Sequence, residues 1–156
     1  MAAIKKLVYE EKKYTQQQLK QALDANWEGY DQMRKEFVGA PQYGNDEDYA
    51  DLIAKDIVDY TERGFNQYKS LYARHIHGTL SQSFNTPLGR MIGATPDGRY
   101  AKAPLSEAMS QSEGADHKGP TTIKKSVSQT NVACRGLGMD HNVELARPEL
   151  DRPEER

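Results

Sequence analysis

Between Pro87 and Val127 the chain reads PLGRMIGATPDGRYAKAPLSEAMSQSEGADHKGPTTIKKSV. The stretch is dense in Gly, Pro, Asp and Ser, yet it is not repetitive, and its turn signals sit at defined spacings. Small domains rarely spend forty residues on irregular loop. A long ordered loop of this kind must pack against something large, and the composition argues that this partner surface lies outside the chain. Leu, Ile, Val and Phe make up about 17% of the 156 residues, below the roughly 20% needed for a well-packed core. Mean hydropathy is −0.87. Plain disorder is disfavoured as well, because the net charge is only −2 and the chain carries nine Tyr and one Trp. The composition therefore suits a piece of a larger structured protein.

Other function classes fall away on charge and hydropathy. A net charge of −2 and a pI near 6.1 give no electrostatic footprint for nucleic acid. No apolar run reaches the ~18–20 residues that span a bilayer. The N-terminal MAAIKKLVYEEKK lacks the apolar core of a secretory signal, so a cytoplasmic chain is expected. A single cysteine, Cys134, excludes an internal disulfide and a thiolate-cluster metal site.

Three zones follow one another: helical residues 1–73, strand and loop at 74–133, and a charged tail at 134–156. Thr15-x-x-Gln18 is a capping-box pattern that opens a helix. Leu19, Leu23, Trp27, Tyr30, Met33 and Phe37 then recur in steps of three or four and keep one stripe toward a core. Gly39 and Pro41 end it. Asn45 is the expected N-cap of a second helix, with Asp46, Glu47 and Asp48 at its positive dipole end. Its stripe runs through Tyr49, Leu52, Ile53, Ile57, Tyr60, Tyr68, Leu71 and Tyr72, and Gly64 is expected to mark a close helix contact. The simplest arrangement is an antiparallel helical hairpin with both stripes left partly exposed, hence weakly cooperative and prone to self-association. From His75 to Asn85 the pattern alternates with period two, as a strand does. Ile76, Gly78, Leu80, Gln82 and Phe84 share one face; His75, His77, Thr79, Ser81, Ser83 and Asn85 share the other. Thr95-Pro96-Asp97-Gly98 and Gly119-Pro120 are turns. Thr121–Val127 fits either a second strand or a helix start.

Four constellations suggest chemistry and do not sustain it. His75-x-His77 supplies two imidazoles with no third ligand interleaved, too few for a zinc site. Cys134 has only Arg135 as an electropositive neighbour, too little to define a reactive thiolate, so a bystander thiol is expected; an independent small enzyme built on Cys134 is ruled out if Cys134→Ser leaves every measured activity unchanged. The glycines make neither a dinucleotide fingerprint nor a Walker loop. Asp46-Glu47-Asp48 is explained as a helix first turn without Ca²⁺.

Taken together, GATPDGR (93–99), PLSEAMS (104–110), GADHKGPT (114–121) and KSVSQ (125–129) resemble successive signature blocks of the pyruvate formate-lyase-like glycyl radical enzymes. ANWEGY (25–30) and YGNDEDYAD (43–51) are similar to the upstream helical segment of that family's dehydratase, decarboxylase and lyase branches. The resemblance runs co-linearly over residues 3–132. It implies an α/β fold: a partial domain at 1–132, built of a helical hairpin, a barrel strand and long turn-rich loops of a ten-stranded α/β barrel. Residues 133–156 are then a charged, disordered tail, and the abrupt change of character near Val132 suits a frameshift or truncation.

The family's chemistry uses a protein-based glycyl radical, an active-site cysteine thiyl and a radical-SAM activating enzyme. It acts on small polar substrates such as diols, choline, hydroxyproline, isethionate and arylacetates. Its cysteine lies in a Gly-Cys-x-Glu loop and its glycine in an Arg-Val-x-Gly motif, and neither occurs in these 156 residues. No catalytic residue, cofactor or metal ligand is therefore expected in this chain, and Met1 resembles an internal start. The strand contributes to the barrel in the family. Its alternation makes Ser81, Ser83 and Asn85 the candidates to face the lumen and touch substrate, unless they only pair with neighbouring backbone. The ATPDGR turn is expected to be scaffold, with Arg99 tying loops together through its five donors. Two roles are open: a segment of a lyase or dehydratase that is inactive alone, or a non-catalytic module that complements a split enzyme.

Overall fold

The computed structural model describes residues 1–69, 71–72, 84–106 and 110–130, and within them the chain is helical. Helix α1 (Ala2–Ile4) widens directly into a π-helical segment, Lys5–Glu10. There the Glu11 N–H reaches back to the Lys6 carbonyl at 2.8 Å. Helix α2 (Gln16–Asp24) opens on the expected capping box. The Thr15 hydroxyl oxygen accepts from the Gln18 N–H at 3.2 Å, and Gln18 Oε1 accepts from the Thr15 N–H at 2.8 Å.

The single helix expected from Thr15 to Phe37 is two helices. Asn26 (φ 51°), Trp27 (φ 66°) and Gly29 (φ 77°) leave the right-handed region, and α3 (Asp31–Val38) starts afresh after them. The interruption drops the Trp27 indole into the core, only 1% exposed, with its ring centroid 5.8 Å from that of Phe37. Spacings of three and four carry across such a break unchanged, so periodicity alone hides it.

Helix α4 (Asp48–Asn66) is the longest element, α5 (Asn85–Gly89) is short, and α6 (Pro120–Gln129) begins with proline at its first turn. The Thr121–Val127 stretch is thus helical. Asn85 opens α5, which corrects its assignment to the end of a strand. The rest of that expected barrel strand, residues 75–83, lies outside the described residues, as do His75, His77, Ser81, Ser83, Cys134 and the tail.

The core explains why the first apolar stripe is not exposed. Ala3, Leu7 and Val8, from the N-terminal helical segment, pack with Leu19, Ala22, Trp27, Met33, Phe37 and Ala40 in one buried cluster. Helix α1 touches both α3 and α4, and α4 packs on α6. The expected two-helix hairpin is therefore replaced by a layered arrangement in which the N-terminal segment is the wedge. Polar ties reinforce it: Tyr14 Oη donates to Glu36 Oε2 at 2.8 Å, and Lys13 Nζ reaches the same oxygen at 2.8 Å. The hydrogen bond from Lys13, then those from Tyr14 and Gln32, pull the Glu36 carboxyl down to about 2.

The second stripe behaves as expected. Leu52, Ile57 and Tyr60 on α4 are exposed, as are Tyr68 and Leu71 beyond it. Gly64 costs this helix about 1 kcal/mol against alanine, yet a Cβ there would meet nothing within 4 Å. Among the described residues it makes no close contact. No helix is long and apolar enough to cross a membrane among the described residues.

Candidate functional site

The turn at Thr95–Gly98 is the geometric centre of the loop region. Proline at Pro96 sets the second position, Gly98 donates to the Thr95 carbonyl at 3.0 Å, and Thr95 donates to the Arg99 carbonyl at 3.1 Å. Gly98 takes φ +92°, while Asp97 keeps a negative φ; this is a type I turn closed by a left-handed glycine. A Cβ on Gly98 would lie 2.3 Å from Val38 Cγ2, so the turn presses directly on α3.

Around it the side chains form a continuous relay. Arg99 Nη1 donates to the Ala103 carbonyl and Nη2 to the Gly93 carbonyl, both at 2.6 Å, and Nε donates to Thr95 Oγ1 at 3.2 Å. The Thr95 hydroxyl in turn donates to Asp97 Oδ1. On the other side Ser112 Oγ donates to Asp97 Oδ2 at 2.8 Å. Burial works to raise the Asp97 carboxyl, but the bonds from Thr95, Ser112 and nearby backbone N–H groups overcome it and hold it below the usual range. Arg34 of α3 closes the ring: its Nε donates to the Gly98 carbonyl at 2.8 Å, and its guanidinium stacks 4.1 Å from the Tyr100 ring centroid. Arg99 thus has the loop-tying role expected of it. Arg34 was not foreseeable, because its carbonyl partner lies 64 residues away.

These residues line an open cleft of about 590 Å³, whose far wall is Ala103–Ser106 and Ser112–Ala115. Its polar groups are largely engaged with one another. Asp97 is committed to two hydroxyls, those of Thr95 and Ser112. Among the described residues no three of His, Cys, Asp and Glu converge on a metal position.

A second polar junction holds the 113–130 segment against the start of α4. Asn45 is buried, and it is a clamp rather than the expected N-cap; Glu47 occupies the cap position, where its side chain makes no capping bond and instead accepts from Lys118 Nζ at 2.9 Å. Asn45 Nδ2 donates to the Ala115 carbonyl at 2.7 Å and the Gln42 carbonyl at 3.3 Å, and Oδ1 accepts from the His117 N–H at 2.8 Å. The Ser126 hydroxyl oxygen accepts from the Asp46 N–H at 2.9 Å. Beside it, Asp51 is fully buried. Burial raises its carboxyl above the ordinary value, against the pull of Ser126 and the Gly44 and Glu47 backbone N–H groups. None of these closes a hydrogen bond of ordinary geometry on it. Burial, then the charge of Asp51, pushes the neighbouring Tyr43 hydroxyl up to about 12.

Of the sequence candidates for substrate contact, only Asn85 is described. It sits partly buried at the start of α5, where its carbonyl accepts from the Leu105 N–H at 3.2 Å. Asn85 lines a shallow hollow with Thr86, Ser106 and Ser110 rather than the main cleft.

Comparison with known proteins gives a consistent picture. The family described as "Pyruvate formate lyase-like" matches residues 1–89. The chain is 43% identical over 132 residues to isethionate sulfite-lyase of Bilophila wadsworthia, covering 79% of this chain and 15% of that protein. Hydroxyproline dehydratase (HypD) from Clostridioides difficile, solved with trans-4-hydroxy-L-proline bound, superposes with a TM-score of 0.76 at 32% identity. That match covers 83% of this chain and 17% of the other. The B12-independent glycerol dehydratase from Clostridium butyricum, in its glycerol-bound form, gives 0.74 at 34% identity, with the same coverage. The chain thus spans less than a fifth of the length of each of these relatives.

Proposed function

We propose, since this chain belongs to the pyruvate formate lyase-like family, that it forms a scaffold segment of a glycyl radical lyase or dehydratase acting on a small polar substrate. The observation that carries the reading is the relay from Arg99 through Thr95 to Asp97 and Ser112, locked to α3 by Arg34. Every strong polar group in it serves the loop itself. Such an arrangement fixes a loop wall in place and leaves bond breaking to groups elsewhere.

In the intact enzyme a glycyl radical, installed by a radical-SAM activating enzyme, and the cysteine thiyl it generates would supply the hydrogen-atom chemistry. This chain's part is positional. It presents the 95–99 turn over α3, and Ser81, Ser83 and Asn85 remain the candidates to line the substrate lumen. The activities of the relatives, sulfite elimination from isethionate and dehydration of glycerol or trans-4-hydroxy-L-proline, define the reaction class to try. The test is direct. The isolated 156-residue chain is incubated anaerobically with each substrate and an activating enzyme, with electron paramagnetic resonance and product analysis as readouts. No radical and no product are expected, and turnover by the chain alone would overturn the proposal.

A further inference from the structure

We infer that Gly89 is the positioning residue for Asn85: lacking a side chain, it seats α5 on the Ala103–Pro104 peptide and so sets where the Asn85 amide stands toward a small polar substrate. The inference rests on the scaffold reading above, in which Asn85 is a candidate for substrate contact. Helix α5 is only five residues long, and the loop that returns to it grips both its ends. At its start the Asn85 carbonyl accepts from the Leu105 N–H at 3.2 Å. At its end Gly89 is buried, and a Cβ there would lie 2.3 Å from the Ala103 carbonyl oxygen and 2.9 Å from Pro104 Cα. Both obstacles are backbone, so no change of rotamer makes room, and any larger residue must lift α5 off the loop. Glycine is required here for close approach. Gly89 and Asn85 stand four residues apart, about one helical turn, so lifting α5 at Gly89 carries Asn85 with it.

The grip belongs to the relay around the 95–99 turn. The Ala103 carbonyl that Gly89 faces also accepts from Arg99 Nη1, and Arg99 Nη2 holds the Gly93 carbonyl beyond α5, both at 2.6 Å. Between them the Lys102 N–H donates to the Ile92 carbonyl at 3.1 Å. The chain leaving α5 and the loop coming back to it are thereby tied along their length. What this rigidity holds in place is the Asn85 side chain. Its backbone is fixed, yet its amide has no hydrogen-bond partner among the described residues, and it stands half-buried on a hollow of about 170 Å³ shared with Thr86 and Ser106. The polar groups of the relay are committed to the loop itself; the Asn85 amide is a donor and an acceptor that the loop positions and leaves uncommitted. A polar side chain on a backbone locked from both ends is the arrangement that preorganised contact with a ligand requires.

The experiment has two arms. In the isolated full chain, amide exchange at Leu105 reads the hold on Asn85 directly. Gly89→Ala should speed it roughly tenfold or more. Gly93→Ala, whose Cβ would meet nothing within 4 Å, should leave it unchanged. Unaltered Leu105 exchange in Gly89→Ala would overturn the inference. In the second arm, the isethionate sulfite-lyase of Bilophila wadsworthia carries residues 1–130 in place of its homologous segment. There Gly89→Ala should raise KM for isethionate roughly fivefold or more, with kcat within about twofold and an unchanged glycyl radical signal. Asn85→Ala should do the same, and the double variant should be no worse than the worse single one, because both act through one amide. Additive effects, or a fall in kcat with KM unchanged, would mark a merely structural role and overturn the inference. A parent chimera without turnover would instead sink the scaffold reading, and Leu105 exchange would still decide whether Gly89 holds Asn85.

Discussion

Replacing Asn45 with alanine removes a side chain that ties the Gln42 turn to the Ala115–His117 loop, some 70 residues away. Three hydrogen bonds go, at 2.7, 2.8 and 3.3 Å. A buried bond contributes about 1 kcal/mol net, and an orphaned buried partner costs ~1–3 kcal/mol more. The 3.3 Å bond is long and contributes least, so the expected loss is about 3 kcal/mol. For a chain of this size that corresponds to a fall in Tm of roughly 6–12 °C. Asn45→Asp keeps the acceptor for the His117 N–H but forfeits both donated bonds, and should lose an intermediate amount. Urea unfolding by circular dichroism measures the loss, and amide exchange at His117 reports whether that particular bond has opened. A loss under about 1 kcal/mol, or an Asn45→Asp variant as stable as the parent, would refute the clamp.

Further substitutions probe other parts of the structure. Phe37→Ala empties a fully buried site in contact with Trp27 and Tyr14 and should cost about 3–5 kcal/mol in denaturant titration. Gly98→Ala places a Cβ against Val38 at φ +92°; a loss of ~1–3 kcal/mol is expected, and Val38→Ala should recover only the steric part. Gly64→Ala should stabilise the isolated chain by about 1 kcal/mol, seen as a higher Tm. Glu36 is depressed from 4.5 to about 2 in the folded chain. Its contribution is therefore fully present above pH 4.5 and lost as pH falls toward 2. Glu36→Gln should flatten the acid limb of stability in that window, and an unchanged limb would contradict the Lys13–Tyr14–Glu36 tie.

Thr15–Gln18 was legible because a capping box is local, and the Thr95–Gly98 turn because Pro and Gly restrict backbone geometry where they stand. Leu19, Trp27, Met33 and Phe37 were correctly placed on a buried face, yet the break at Asn26–Gly29 was not visible, since the spacing survives it. The cover over that face, Ala3 of α1 with Leu7 and Val8 of the π-helical segment after it, has no strong sequence signature. Asn45 was read as a cap because local rules favour Asn before an acidic turn. Its partners are distant, and no local rule can find them. The same holds for Arg34 and Gly98, and for Ser112 and Asp97. The blocks at 93–99, 104–110, 114–121 and 125–129 carry the family resemblance, since each is a run of residues and not a single contact.

The account rests on the claim that this chain is an interchangeable scaffold segment of a glycyl radical enzyme. The most direct test is isethionate cleavage by the Bilophila wadsworthia lyase carrying residues 1–130 in place of its own homologous segment, after anaerobic activation. The account predicts a glycyl radical signal and sulfite release within about tenfold of the parent, because a tenfold change corresponds to only about 1.4 kcal/mol in the barrier. A folded, radical-bearing chimera that releases no sulfite would contradict it.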